Sequence, residues 1–191
     1  NGMLAKQKKE EGDALVTTVL FDDGFEVLHD RMDIKTVKPI TSRDYYVRGC
    51  TALLDAVGKA IMMIKQKEKA TSKEERAGQV LFVITTDGLE NASKEFTYEK
   101  IKKMIEKQTE KHGWKLLFLG ANIHAAAEAA KVGINARYSA KYCADGEGTQ
   151  KNFDAVCKVA NFVRRDEEIS DIWKSEIQDY LQKKEGNKTK R

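Results

Sequence analysis

Apolar residues along this chain follow two spacings, and the spacings predict where strands and helices lie. Uninterrupted apolar or β-branched runs predict strands at 14–21, 25–28, 80–86 and 114–119, with a short last strand at 136–142. Apolar residues that recur every three to four positions predict helices at 3–11, 51–69, 97–112, 125–132 and 149–184. Strands that alternate with helices through short turns predict an α/β fold with a doubly wound, mostly parallel sheet and helices on both of its faces.

The chain divides into two regions by the same patterns. Residues 1–145 contain all the predicted strands and form the predicted α/β domain. Residues 146–191 are predicted to form a C-terminal helical extension that ends in a basic tail. The apolar stripe of 167–184 is typical of a helix that packs on its own domain, although pairing with a second copy or a partner stays open.

Composition narrows the classes of function. Thirty-four Lys and Arg stand against thirty Asp and Glu, and the charges are interspersed, so no basic stripe predicts nucleic-acid binding. No apolar run approaches the roughly 20 residues of a membrane span. The three cysteines, Cys50, Cys143 and Cys157, form neither an even set nor a CxxC pair, which favours a reducing compartment and a cytoplasmic protein.

The strand 80–86 ends in the residues with the clearest candidate chemistry. Its apolar run leads into Thr86, Asp87 and Gly88, so a carboxylate follows the strand directly. In open α/β sheets, ligands bind beyond the carboxyl ends of the strands, which makes Asp87 the first candidate for function. By themselves, Asp87-Gly88 is also typical of a turn, and Thr51 at a helix start is typical of an N-cap.

Three segments together resemble the von Willebrand factor A domain family: FDDGFEV, VRGCTALLDAV and ITTDG. In that family a divalent cation binds at the edge of the sheet, in a metal-ion-dependent adhesion site. Its ligands come from a DxSxS motif after the first strand, a Thr at the start of a later helix and an Asp after the fourth strand. Thr51 matches the second position and Asp87 the third, and the resemblance covers about residues 1–145 in order and rough spacing.

The sequence departs from the family at its first motif, because DxSxS occurs nowhere in the chain. We expect an N-terminal truncation that removes this motif together with the family's first strand. In the family that strand lies centrally, between the strands that match 14–21 and 80–86. We therefore expect open apolar strand edges and poor stability or pairing with another chain. We also expect metal binding that is weak or absent.

The resemblance implies a binding module of bacterial type and no catalysis. Thr51 and Asp87 are the expected ligands of Mg²⁺ or a similar cation, and an acidic residue of a protein partner would complete the coordination. Glu90 and Asn91 are expected on the rim, where they could contact the partner, and Asp55 is expected to be a surface charge that stabilises its helix dipole. The alternatives are a nucleotide-binding or hydrolytic α/β enzyme that uses Asp87, and a structural domain of the same fold without metal. The oligomeric state stays open.

Overall fold

The computed structural model describes residues 1–44, 49–121 and 123–188. The strands in these ranges are Leu15–Phe21 (β1), Phe25–Asp33 (β2), Leu81–Thr86 (β3), Lys115–Ala121 (β4) and Ser139–Tyr142 (β5). The α-helices are Gly2–Gln7 (α1), Leu53–Ala70 (α2), Tyr98–His112 (α3), Ala125–Lys131 (α4), Gly146–Arg164 (α5) and Ser175–Lys188 (α6). Short 3-10 turns occupy Lys73–Glu75, Ala136–Tyr138 and Asp171–Lys174.

Most of the predicted elements are confirmed, and their ends have local causes. Helix α3 begins after Thr97, whose side chain accepts a hydrogen bond from the Lys100 N–H, and ends at Gly113 with φ 66°. Strand β2 continues to Asp33, five residues beyond the predicted end. The helical pattern predicted from 149 to 184, with its separate stripe from 167, is confirmed as two helices, because Asp166 adopts a left-handed φ of 54° between α5 and α6.

The strands form two sheets. Strands β3, β4 and β5 form a parallel sheet in sequence order, with Ile84 opposite Phe118 and Phe118 opposite Ser139. Helices α3 and α4 supply the two crossovers between these strands, as a parallel sheet requires. Strands β1 and β2 form a separate antiparallel hairpin with irregular register near Thr18. The protein is therefore a mixed α/β protein, as predicted.

Helices cover both faces of β4, which explains why its sequence shows no polar alternation. Leu116 and Phe118 point into a core that is completed by α2, α3 and α4. Leu117 and Leu119 point the other way, into a core that is completed by α5, Trp173 and α6. Because consecutive side chains of a strand face opposite sides, both sides of a strand buried in this way must be apolar.

Strands β1 and β3 do not pair with each other in the ranges that the structure describes. The apolar side chains of β3 from Leu81 to Val83 are only partly buried, whereas those of β4 from Leu116 to Leu119 are fully buried. Among the described residues, each of the two strands thus presents an open edge of the kind that pairs with other chains. Poor stability or association through these edges stays a prediction.

Among the residues described, no helix combines the length and the apolar character that crossing a membrane would need.

Candidate functional site

The carboxyl end of β3 forms a tight turn that exposes Asp87. The Thr86 hydroxyl donates to the Gly88 carbonyl at 3.0 Å and accepts from the Gly88 N–H at 3.3 Å. Thr86 is buried, and its two hydroxyl hydrogen bonds stabilise the turn from the interior side. Asp87, the next residue, is exposed. The turn therefore holds the Asp87 carboxylate at the edge of the sheet, where the sequence placed a ligand site.

Thr51 lies directly against this turn. A Cβ atom at Gly88 would be 2.7 Å from Thr51 Oγ1, so the glycine allows the Thr51 hydroxyl to lie this close to the turn. The fold therefore brings Thr51 against the residue that follows the other predicted ligand, Asp87, although the two ligands are 36 residues apart in sequence. Within the described ranges, neither the Thr51 hydroxyl nor the Asp87 carboxylate forms a hydrogen bond or an ion pair. Both groups thus have oxygen lone pairs available for a ligand.

The N-terminus of α2 differs from the predicted one. The helix begins at Leu53, and its N-cap residue is Ala52, which has no capping side chain. Thr51 therefore lies before the cap and is not itself the N-cap. The capping oxygen comes instead from Glu90, whose Oε2 accepts from the Leu54 N–H at 2.9 Å. A carboxylate at this position also interacts favourably with the positive end of the helix dipole.

Residues 87–96, which we call the cap loop, are tied to the start of α2 by Glu90 and Ser93. Glu90 Oε1 accepts from the backbone N–H groups of Ala92 and Ser93 at 3.0 and 2.8 Å. The Ser93 hydroxyl donates to Glu90 Oε2 at 2.7 Å and accepts from the Asp55 N–H at 3.0 Å. The Glu90 side chain is therefore engaged within the molecule, and its predicted contact with a partner stays a prediction.

Asp55 is a structural residue, and the expectation of a surface charge is wrong. Its side chain is buried and accepts from the backbone N–H groups of Lys94, Glu95 and Phe96 at 2.9, 3.0 and 2.9 Å. These bonds join the far end of the cap loop to the first turn of α2. No spacing in the sequence indicates this role, because the three donors are backbone groups about 40 residues away.

The acidic groups of this junction have lowered pKa values. Burial raises the pKa of Asp55, but the three backbone N–H donors outweigh it, so the net pKa lies below its ordinary 3.8. Burial likewise raises the pKa of Glu90, and four hydrogen bonds from the α2 start and the cap loop bring it below its ordinary 4.5. Both groups are therefore held in the charged form.

We expect stability to fall as the pH drops below the ordinary pKa values of these groups, 3.8 and 4.5. There the unfolded chain binds protons that folded Asp55 and Glu90 do not, so the free energy of unfolding decreases until the folded-state pKa values are passed. Urea unfolding from about pH 6 to about pH 3 measures the decline. The variant Asp55→Asn should show a shallower decline, and equal slopes in the two proteins would contradict the assignment.

The chemistry of the Thr51 and Asp87 oxygens suits Mg²⁺, which prefers oxygen ligands and usually retains several waters. In the described part of the chain, no group of three or more His, Cys, Asp or Glu side chains could hold a metal. The Thr51 hydroxyl and the Asp87 carboxylate, which belongs to the residue next to Gly88, fit a hard cation in type. A cation bound by them would take its remaining ligands from water or from another molecule.

The turn after β4 bears on the nucleotide-binding alternative. Gly120 ends the apolar run of β4, and a Cβ atom there would be 2.6 Å from Ile123 Cγ1 and 3.0 Å from Ala125 Cβ. The glycine thus accommodates the close approach of Ile123 and helix α4. This packing gives Gly120 a structural role that needs no bound phosphate.

Comparisons of the chain with protein-family models, with curated proteins and with solved structures find no match.

Proposed function

We propose that this chain is a von Willebrand factor A-like module that binds a protein partner through a divalent cation. The observation that carries the proposal is that the Thr51 hydroxyl lies against Gly88, the residue next to Asp87, whose carboxylate has no partner among the described residues. In the proposal, both side chains are metal ligands, and Mg²⁺ is the cation that the oxygen donors favour. A doubly wound sheet and a cytoplasmic location belong to the same proposal.

A cation held by only two protein oxygens has open coordination positions. In the proposal, an acidic side chain of the partner occupies one of them. The partner is thus bound through the cation, and no reaction is catalysed. The cap loop supports this, since Glu90 ties the loop to the start of α2, while the exposed Asp87 carboxylate has no partner among the described residues. In the alternative, a structural domain without metal, the cap loop only stabilises the fold. Measurement of metal binding distinguishes the two interpretations.

We expect the variant Asp87→Asn to lose divalent-cation binding at this edge. Mn²⁺ takes the oxygen ligands that suit Mg²⁺ and broadens nearby amide signals in NMR spectra. In the natural protein, broadening should centre on Thr51, Asp87 and Gly88, with roughly millimolar affinity. The variant removes the charge but keeps the side-chain shape, so the signals should stay sharp and the fold intact. Thr51→Val should weaken binding roughly tenfold, or ~1.4 kcal/mol.

The matched control for this experiment is Asp13→Asn. Asp13 is an exposed carboxylate that precedes β1, so its loss changes the net charge equally but should leave the broadening unchanged. Broadening that persists in Asp87→Asn, or that is absent from the natural protein, contradicts the proposal. A carboxylate-containing peptide should strengthen Mn²⁺ binding, whereas the same peptide with its acidic side chain amidated should not.

A further inference from the structure

We infer that Asn91 is the positioning residue of the proposed site: it clamps the backbone of Thr51 and so sets where the Thr51 hydroxyl lies. The effect of Asn91 on metal binding rests on the proposed function, whereas its hydrogen bonds to Thr51 can be tested without metal. The Thr51 N–H donates to Asn91 Oδ1 at 2.9 Å, and the Asn91 N–H donates to the Thr51 carbonyl at 3.1 Å. One residue thus engages both polar backbone groups of Thr51.

Thr51 needs such a clamp because the helix does not hold it. Helix α2 begins two residues later, so no helical hydrogen bond orders the Thr51 peptide. The next residue, Ala52, is anchored separately by donating its N–H to the Asp22 carbonyl. Asn91 therefore supplies the hydrogen bonds that join the Thr51 backbone to the cap loop, which also carries Asp87. Two bonds from one residue restrain rotation of the Thr51 peptide as well as its distance from the loop.

The side chains of the cap loop bond to different residues at the start of α2. Glu90 and Ser93 bond to the backbone of Leu54 and Asp55, which lie inside the helix. Asn91 alone among these three cap-loop side chains bonds to Thr51. Loss of Ser93 should therefore loosen the helix junction while leaving Thr51 in place. Loss of the Asn91 side-chain amide should remove one of the two bonds and so loosen Thr51, while the helix junction stays tied.

The experiment compares Asn91→Ala with Asn91→Asp and Ser93→Ala. In Asn91→Ala, hydrogen exchange of the Thr51 amide should accelerate roughly tenfold, and the nuclear Overhauser effect between the Thr51 side chain and the Gly88 α-protons should weaken. Mn²⁺ affinity should fall roughly tenfold, a typical loss for an outer-shell residue. Asn91→Asp keeps an oxygen that accepts from the Thr51 N–H and should retain both properties. Ser93→Ala should lower the thermal midpoint while leaving the Thr51 signals and Mn²⁺ affinity unchanged.

The two proposals fail in different ways. If Asn91→Ala leaves Thr51 exchange and its contact with Gly88 unchanged, or if Asn91→Asp behaves like Asn91→Ala, the clamp is overturned. If Thr51 is loosened in Asn91→Ala while Mn²⁺ affinity stays the same, the positioning role is overturned and the metal site stands. If the natural protein shows the clamp but no Mn²⁺ broadening, the proposed function fails, and with it the positioning role.

Discussion

Replacement of Asp55 by alanine is expected to lower the free energy of unfolding by about 2–4 kcal/mol and to release the cap loop from helix α2. The carboxylate accepts three backbone hydrogen bonds at 2.9 to 3.0 Å while it is buried. Alanine would remove all three charge-assisted bonds and leave partly buried N–H groups without an acceptor. Among the predictions for this region, it has the largest expected effect on stability.

The matched control is Glu95→Ala, in the same loop. Glu95 is exposed, and its carboxylate forms a 2.7 Å ion pair with Lys59. Exposed pairs of this kind contribute roughly 0–1 kcal/mol, so this variant should unfold at nearly the natural denaturant midpoint. Urea unfolding followed by circular dichroism measures both variants. Equal midpoints for Asp55→Ala and Glu95→Ala would show that the three backbone bonds do not stabilise the loop.

Replacement of Trp173 by alanine is expected to cost about 3–5 kcal/mol of stability. The indole is only 1% exposed, and it packs in the core formed by one face of the β3–β4–β5 sheet and helix α5. Its Nε1 donates to the Arg137 carbonyl at 3.1 Å, so alanine would leave both a large cavity and a lost hydrogen bond. Thermal unfolding monitored by circular dichroism gives the loss directly.

The neighbouring Ile172 supplies the control, since its side chain is 71% exposed and Ile172→Ala should change stability very little.

The unfolding of Trp173→Ala also tests the predicted division of the chain at 145/146. If the C-terminal region unfolds together with the sheet, Trp173→Ala lowers a single cooperative transition. If the region unfolds by itself, a separate early transition appears while the transition of residues 1–145 stays unchanged.

The sequence predicted the parallel strands and their helices correctly because each is built from local patterns. The unbroken apolar run of β4 reports burial on both faces, and Thr97 and Gly113 mark the two ends of α3. The two apolar stripes predicted a second helix from about residue 167, whereas α6 begins only at Ser175, after the break at Asp166 and the turn Asp171–Lys174. Trp173, within that turn, packs against the sheet, and this packing depends on tertiary structure.

The candidate site was only partly predictable. Thr51 and Asp87 could be paired from the resemblance, and the structure places Thr51 against the turn that carries Asp87. The roles of Asp55 and Asn91 could not be predicted, because they depend on backbone groups about 40 residues distant. A side chain that binds a backbone group leaves no pattern in residue type or spacing, since every residue except proline offers the same N–H.

The sequence by itself determined the α/β class, the apolar strands and the position of Asp87 at the end of one of them, because periodicity and turn chemistry are local properties of the chain. Only the tertiary structure decided that Thr51 lies against Gly88, that Glu90 caps α2, and that Asn91 holds Thr51. These contacts join residues about 36 to 40 positions apart, and such distances close only when the helices have packed on the sheet.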